Sequence, residues 1–220
     1  MKTSGWAVLF AIEWLVCGIG MAENRDARRI TVRVYNRAGV STETLSKAMA
    51  ETQRVFLRGG VDIQWLNCPV MVADEHLVPE CLEKWRPTDV ALRILPGWSP
   101  RYGGKELGYS LPSADGGAMA NIYYERVLQV AAKQLGYETC ILGAGIAHEL
   151  GHLLLGNFSH SSSGIMRAEW TVADLDAAAS GRLLFTSAQA AAIRDEVRRR
   201  TLVLAAARER TINVAPESRR

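Results

Sequence analysis

The chain has 220 residues, 48% of them hydrophobic and 22% charged. That is enough apolar material for one globular domain with its own core. The net charge of +3 is spread along the chain rather than gathered in one central patch, so nucleic acid is not implied as a partner.

The N-terminus has the pattern of a signal peptide over residues 1–22. Lys2 supplies the positive start, residues 6–19 are apolar except for Glu13, and Gly20, Met21 and Ala22 end on small residues suited to cleavage. The alternative is an apolar helix kept as an anchor. Cys17 follows Val16 and lacks a lipid-attachment pattern. A protein so exported is secreted or periplasmic, with no membrane association once the signal is removed. Its cysteines are then Cys68, Cys81 and Cys140. In an oxidising compartment Cys68 and Cys81, which bound a short segment holding Pro69 and Pro79, are the expected disulfide. Cys140 is expected as a buried thiol. A cysteine zinc site lacks the C-x-x-C spacing it needs.

The folded domain is expected over 23–207, with a charged, frayed tail over 208–220. Residues 29–35 alternate apolar and polar and form a half-buried strand. Ser41 or Thr42 caps a helix to about residue 58, with Leu45, Ala48, Met49, Thr52, Val55 and Phe56 on one face. Gly59 and Gly60 end it. Residues 61–66 form a second strand, which the strand–helix–strand connection makes parallel to the first. A loop rich in proline and acids covers 67–87, and its His76 is given no role. Strands follow at 90–95, 107–111 and 118–124, with a loop over 98–104. A helix covers 125–134, and another covers about 140–155. Residues 174–179 form a short helix. Thr186 to Gln189 has a capping-box pattern opening a last helix to about 206, which packs through Ala190, Ile193, Val197, Leu202 and Leu204. The basic run 198–200 is a solvated face of that helix. Strands first and helices later make the class α+β.

The helix at 140–155 carries the chemistry. His148, Glu149 and His152 form H-E-x-x-H. Histidines four apart share one helix face, where both can reach a zinc ion at about 2.0–2.1 Å. Glu149 is placed beside them as general base toward a water whose pKa the zinc lowers to about 7. Two histidines and a glutamate in so apolar a helix are costly without partners, which argues against ordinary core residues.

From His148 to Met166 the sequence resembles the metzincin zinc peptidases, whose signature is H-E-x-x-H-x-x-G-x-x-H followed by a methionine turn. Gly156 resembles the family glycine, His160 the third histidine, and 163–166 the Met-turn. His160 lies twelve positions after His148 rather than ten, with one extra residue on each side of Gly156. Met166 lies eighteen after His148, as in the matrixin branch. The resemblance implies a metzincin-like mixed five-stranded sheet with a crossover helix, the HExxH helix, a Met-turn and a C-terminal helix. It implies that 118–124 is an antiparallel edge strand along which substrate lies. It implies zinc held by His148, His152 and His160, with Met166 beneath the metal and Trp170 packed under the turn. Ala168 stands where some metzincins carry an assisting tyrosine. The function so implied is an exported, monomeric zinc endopeptidase acting on peptides or proteins. Two alternatives stay open. One is a hydrolase of the gluzincin type, with Glu169 or Asp174 as third ligand. The other is a metal-stabilised peptide-binding module, against which Glu149 weighs.

Overall fold

A computed structural model describes residues 28–70, 78–97, 106–111, 118–133, 137–156 and 159–213. The expected signal peptide over 1–22, His76, the expected loop over 98–104, and residues 157 and 158 lie outside the described residues. Among the described residues no helix is long and apolar enough to cross a membrane.

In chain order the elements are β1 (Arg29–Asn36), α1 (Thr42–Arg58), β2 (Asp62–Asn67), the short α2 (Pro79–Leu82), β3 (Asp89–Leu95), β4 (Gly108–Leu111), β5 (Ala118–Tyr123), α3 (Tyr124–Ala131), α4 (Glu138–Leu155), α5 (Val172–Ala179) and α6 (Ser187–Asn213). The sheet order is β2-β1-β3-β5-β4. All neighbouring pairs are parallel except β4 with β5. The class is α+β, as expected.

Local signals explain most boundaries. The Ser41 hydroxyl accepts from the Thr44 amide and caps α1. Gly60, with φ +81°, turns the chain out of it. Thr186 and Gln189 exchange the expected capping bonds ahead of α6.

The strand placement corrects one expectation. β5 is not the edge and is not antiparallel to β3; it lies inside the sheet, parallel to β3. Its residues are buried on both faces except Met119, the pattern of an interior parallel strand. The antiparallel edge is β4, only four residues long and ending at exposed Leu111. Shortness is a common way to blunt an edge.

Val32, Val34, Val90, Leu92, Ala118, Ala120 and Ile122 form one buried sheet face beneath α1 and α4. The two helices meet closely. Thr52 in α1 donates to the Gly143 carbonyl of α4 at 2.8 Å. The opposite sheet face carries a buried ion pair, Arg33 with Asp89, at 2.7 Å. Arg33 also donates to the carbonyls of Cys81 and Glu83 and stacks under Trp85. It thereby fastens the segment that the Cys68–Cys81 disulfide closes. The disulfide is the expected one. Cys140 is only half-buried, because the first turn of α4 projects beyond the core that begins at Ile141.

α6 runs to Asn213, past the expected end near 206. Ala190, Ile193 and Val197 are buried as expected, but Leu202 is 64% exposed. Arg198 and Arg199 pair with Asp195 and Glu196 on the surface. Arg200 instead turns inward and donates to the Leu153 carbonyl, one of the last carbonyls of α4.

Gly143→Ala tests the α1–α4 contact. A Cβ there would lie 2.7 Å from both the Ala48 carbonyl oxygen and Glu51 Cβ. Better helix propensity offers about 1 kcal/mol, but overpacking against backbone costs about 1–3 kcal/mol. The expected outcome in urea unfolding is a net loss of up to about 2 kcal/mol; a higher midpoint would show that α1 and α4 can part cheaply.

Candidate functional site

α4 is buried almost all round, with Ile141, Leu142, Ala144, Ile146, Ala147, Leu150, Leu153 and Leu154 in the core. Gly151 lets it lie against the Met-turn: a Cβ there would fall 2.6 Å from Met166 Sδ. Glu149 is therefore buried, and His148 and His152 are only half-buried at the edge of the core. Each needs a partner from elsewhere.

The partners are present. His148 Nδ1 lies 2.7 Å from the Ile165 carbonyl oxygen. A carbonyl can only accept, so Nδ1 carries the proton and Nε2 presents its lone pair. Trp170 Nε1 donates to the same carbonyl at 3.1 Å, and its ring stands edge-on to His148. His152 Nδ1 lies 2.8 Å from Ser159 Oγ. The two Nε2 atoms face each other at 3.0 Å.

α4 ends at Gly156, whose φ of +81° stops the helix. The chain returns so that His160 stacks near both other rings, its centroid 4.7 Å from that of His152 and 5.4 Å from that of His148. One ligand atom from each of the three histidines lies within 4.8 Å of the others. Met166 is fully buried. Its turn is closed by Ser161 N to Met166 O and by Ile165 N to Leu184 O. Gly164, at φ +76°, sits against the Leu184 carbonyl with no room for a Cβ.

This donor set fits a zinc-like ion. Two nitrogens on one tetrahedral zinc stand about 3.3 Å apart, close to the observed Nε2 separation. Two facing lone pairs at that distance are stable only with a proton or a cation between them. Burial, together with the neighbouring imidazoles, lowers both histidines to about 4, so both are neutral ligands at pH 7.

Glu149 is 6% exposed. Burial pushes its carboxyl up to about 7, and a hydrogen bond from Ser110 pulls the other way. Ser110 Oγ lies 2.6 Å from Oε2 and 2.7 Å from the Glu149 backbone oxygen.

The three sequence-derived histidines, His148, His152 and His160, are thus brought together, with Glu149 buried on the same helix and Met166 packed against it at Gly151. Of the two carboxylates considered as third ligand, Glu169 is exposed and stands outside the imidazole group. Asp174 is engaged in the Thr171 capping box and with Arg167. Ser110 and Ser159 escape sequence reasoning. A serine in a four-residue strand carries no signal, and Ser159 looks like a spacer before His160.

The sequence matches no protein-family profile and no curated protein. Among solved structures, the chain is similar to a zinc-dependent peptidase from Methanocorpusculum labreanum, with TM-score 0.50 and 14% identity over 74% of this chain and 99% of that one. Another similar structure is archaemetzincin from Methanopyrus kandleri, with TM-score 0.47 and 12% identity over 78% of this chain and 97% of that one. At such identities the likeness concerns the fold alone.

The site should govern the acid stability of chelator-stripped protein. His148 and His152 titrate near 4 when folded and near 6.5 when free. As pH falls through that window the unfolded chain takes up protons first, so stability falls. Glu149, raised from 4.5 to about 7, contributes stability at low pH that is lost as pH rises through that interval. Two imidazoles against one carboxyl leave stability rising with pH from about 4 to about 6.5. Glu149→Gln removes the opposing contribution and should steepen the rise. Melting temperatures between pH 4 and 7 check this; a flat profile in both proteins would contradict it.

Proposed function

We propose that this protein is an exported zinc endopeptidase of metzincin-like design. The observation that carries the reading is the convergence of three imidazoles beside a buried carboxyl on the same helix. The fold shared with a zinc-dependent peptidase and the Cys68–Cys81 disulfide, expected of an oxidising compartment, support it.

His148, His152 and His160 hold the metal through neutral nitrogens. The Ile165 carbonyl and Ser159 orient the first two rings from behind, as outer partners of metal ligands do. A bound zinc ion supplies Lewis acidity, which polarises the scissile carbonyl and makes the attacking water more acidic. Glu149 takes a proton from that water and gives it to the leaving amine. Its carboxyl, buried and held by Ser110 on the helix that carries two of the ligands, is placed for both transfers. Met166 fills the space behind α4 as a floor.

The substrate strand lies along β4 rather than β5. β4 is the antiparallel edge, so its outer side offers backbone groups to an extended peptide. It is also the strand that touches Glu149, which puts a docked peptide near the base.

His160 is the third ligand on this reading, since Asp174 is committed elsewhere and Glu169 lies outside the group. A binding module without turnover has no use for a buried carboxyl next to the metal ligands.

Two measurements test the proposal. Glu149→Ala should keep zinc and lose turnover of a peptide library by about 10²–10⁴-fold; activity equal to wild type would refute the mechanism. In a zinc titration, His160→Ala should weaken binding severely and Glu169→Ala should leave it unchanged. The reverse order would move the third ligand to the carboxylate.

A further inference from the structure

We infer that Ser110 is a positioning residue for Glu149, holding the base in place from the very strand that receives the substrate. The inference rests on the peptidase reading and adds to it a residue outside the metal-binding segment.

The geometry is specific. Ser110 pairs with Ala120 across the β4–β5 ladder, so its backbone is fixed by the sheet. Its hydroxyl oxygen lies 2.6 Å from Glu149 Oε2 and 2.7 Å from the Glu149 carbonyl oxygen. Two residues earlier on the same face is Gly108. A Cβ at that position would fall 3.0 Å from Glu149 Cγ and 2.2 Å from the Asn121 carbonyl oxygen. β4 thus meets this side chain twice: it leaves out a side chain where the Glu149 methylenes pass, and it supplies a hydroxyl where the carboxyl ends.

A hydroxyl suits this position for a chemical reason. It has one proton to donate and lone pairs to accept with, and here it lies within hydrogen-bond distance of both the carboxyl and the backbone oxygen of one residue. It therefore fixes the Glu149 side chain relative to the turn of α4 that carries it. For a carboxyl buried this far, a lost partner costs about 1–3 kcal/mol.

The rival explanation is that Ser110 merely pins β4 to α4. Kinetics and melting of the full chain separate the two. In zinc-loaded protein, Ser110→Ala should lower kcat about tenfold or more with KM and zinc content little changed, and Ser110→Thr should restore most of the loss. The effects of Ser110→Ala and Glu149→Ala on kcat should be strongly non-additive, since one acts through the other. In chelator-stripped protein, Ser110→Ala should lower the melting temperature when Glu149 is present and much less when it is alanine. A pinning role predicts additive losses, a raised KM, and the same fall in melting temperature in both backgrounds; that pattern overturns the inference. Hydrolysis by Ser110→Ala at the wild-type kcat also overturns it and leaves the peptidase reading intact. A wild-type protein that cleaves no peptide overturns that reading and this role together.

Discussion

The constraint on which the rest depends is that α4 is buried on nearly every side and still carries two imidazoles and a carboxyl. An apolar helix in a core is stable by itself; these three groups are not. Each must be matched by an atom that α4 does not own. The matches come from distant parts of the chain: Ile165 O for His148, Ser159 for His152 and Ser110 for Glu149. The fold around α4 can be understood as the means of delivering those atoms. β4 delivers one from the sheet edge, and the stretch from Gly156 to Trp170 delivers the others.

Delivery at this precision needs close packing, and glycine provides it. Gly143 lets α1 approach α4, Gly151 admits Met166, and Gly164 turns the loop against the Leu184 carbonyl. Met166 then couples two jobs. It fills the core behind α4, and in doing so it fixes the height of Ile165, whose carbonyl orients His148. A methionine suits such an irregular gap because its chain is unbranched and polarisable. Arg200 closes the arrangement from the other side by satisfying a terminal carbonyl of α4. The far face of the sheet uses a different solution. There Arg33 and Asp89 are buried as a pair, and each keeps one atom without a partner among the described residues. Such a pair adds little net stability, but it anchors the disulfide-closed segment through the Cys81 and Glu83 carbonyls.

Much of this was legible in the sequence, and the division follows physical range. Caps and helix stops are local, so Ser41, Gly156, Thr186 and Gln189 announce themselves. The spacing of His148 and His152 is a helix-face statement and needs no tertiary knowledge. The parallel β1–β2 pair follows from the length of the connection. Strand order between β3, β4 and β5 does not, because a run such as 118–123 looks alike at an edge and in the interior. Burial on both faces decides it, and burial is a property of the assembled sheet. Ser110 is invisible for the same reason: its partner lies 39 residues away, and nothing in a short polar strand points there. Arg200 is hidden by its neighbours, since three consecutive arginines look like one solvated face until the helix phase separates them.

His160 reaches the other two imidazoles although it lies twelve positions after His148, two more than in the metzincin signature that the sequence resembles. One extra residue before Gly156 extends α4 by about 1.5 Å and rotates its exit by about 100°. A helix that left in that new direction would carry the following chain away from His148. At Gly156 the helix stops instead, with φ +81° and ψ −175°, a conformation open to glycine. Ser159 binds His152 on the way, so the residue just before His160 is tied to the second histidine. His160 is thereby placed relative to the helix by a hydrogen bond rather than by loop length alone. The stretch from His160 to Met166 is closed by the Ser161–Met166 backbone bond. Met166 is buried in the core and His148 is half-buried at its margin; a glycine and a local hydrogen bond redirect the chain between them.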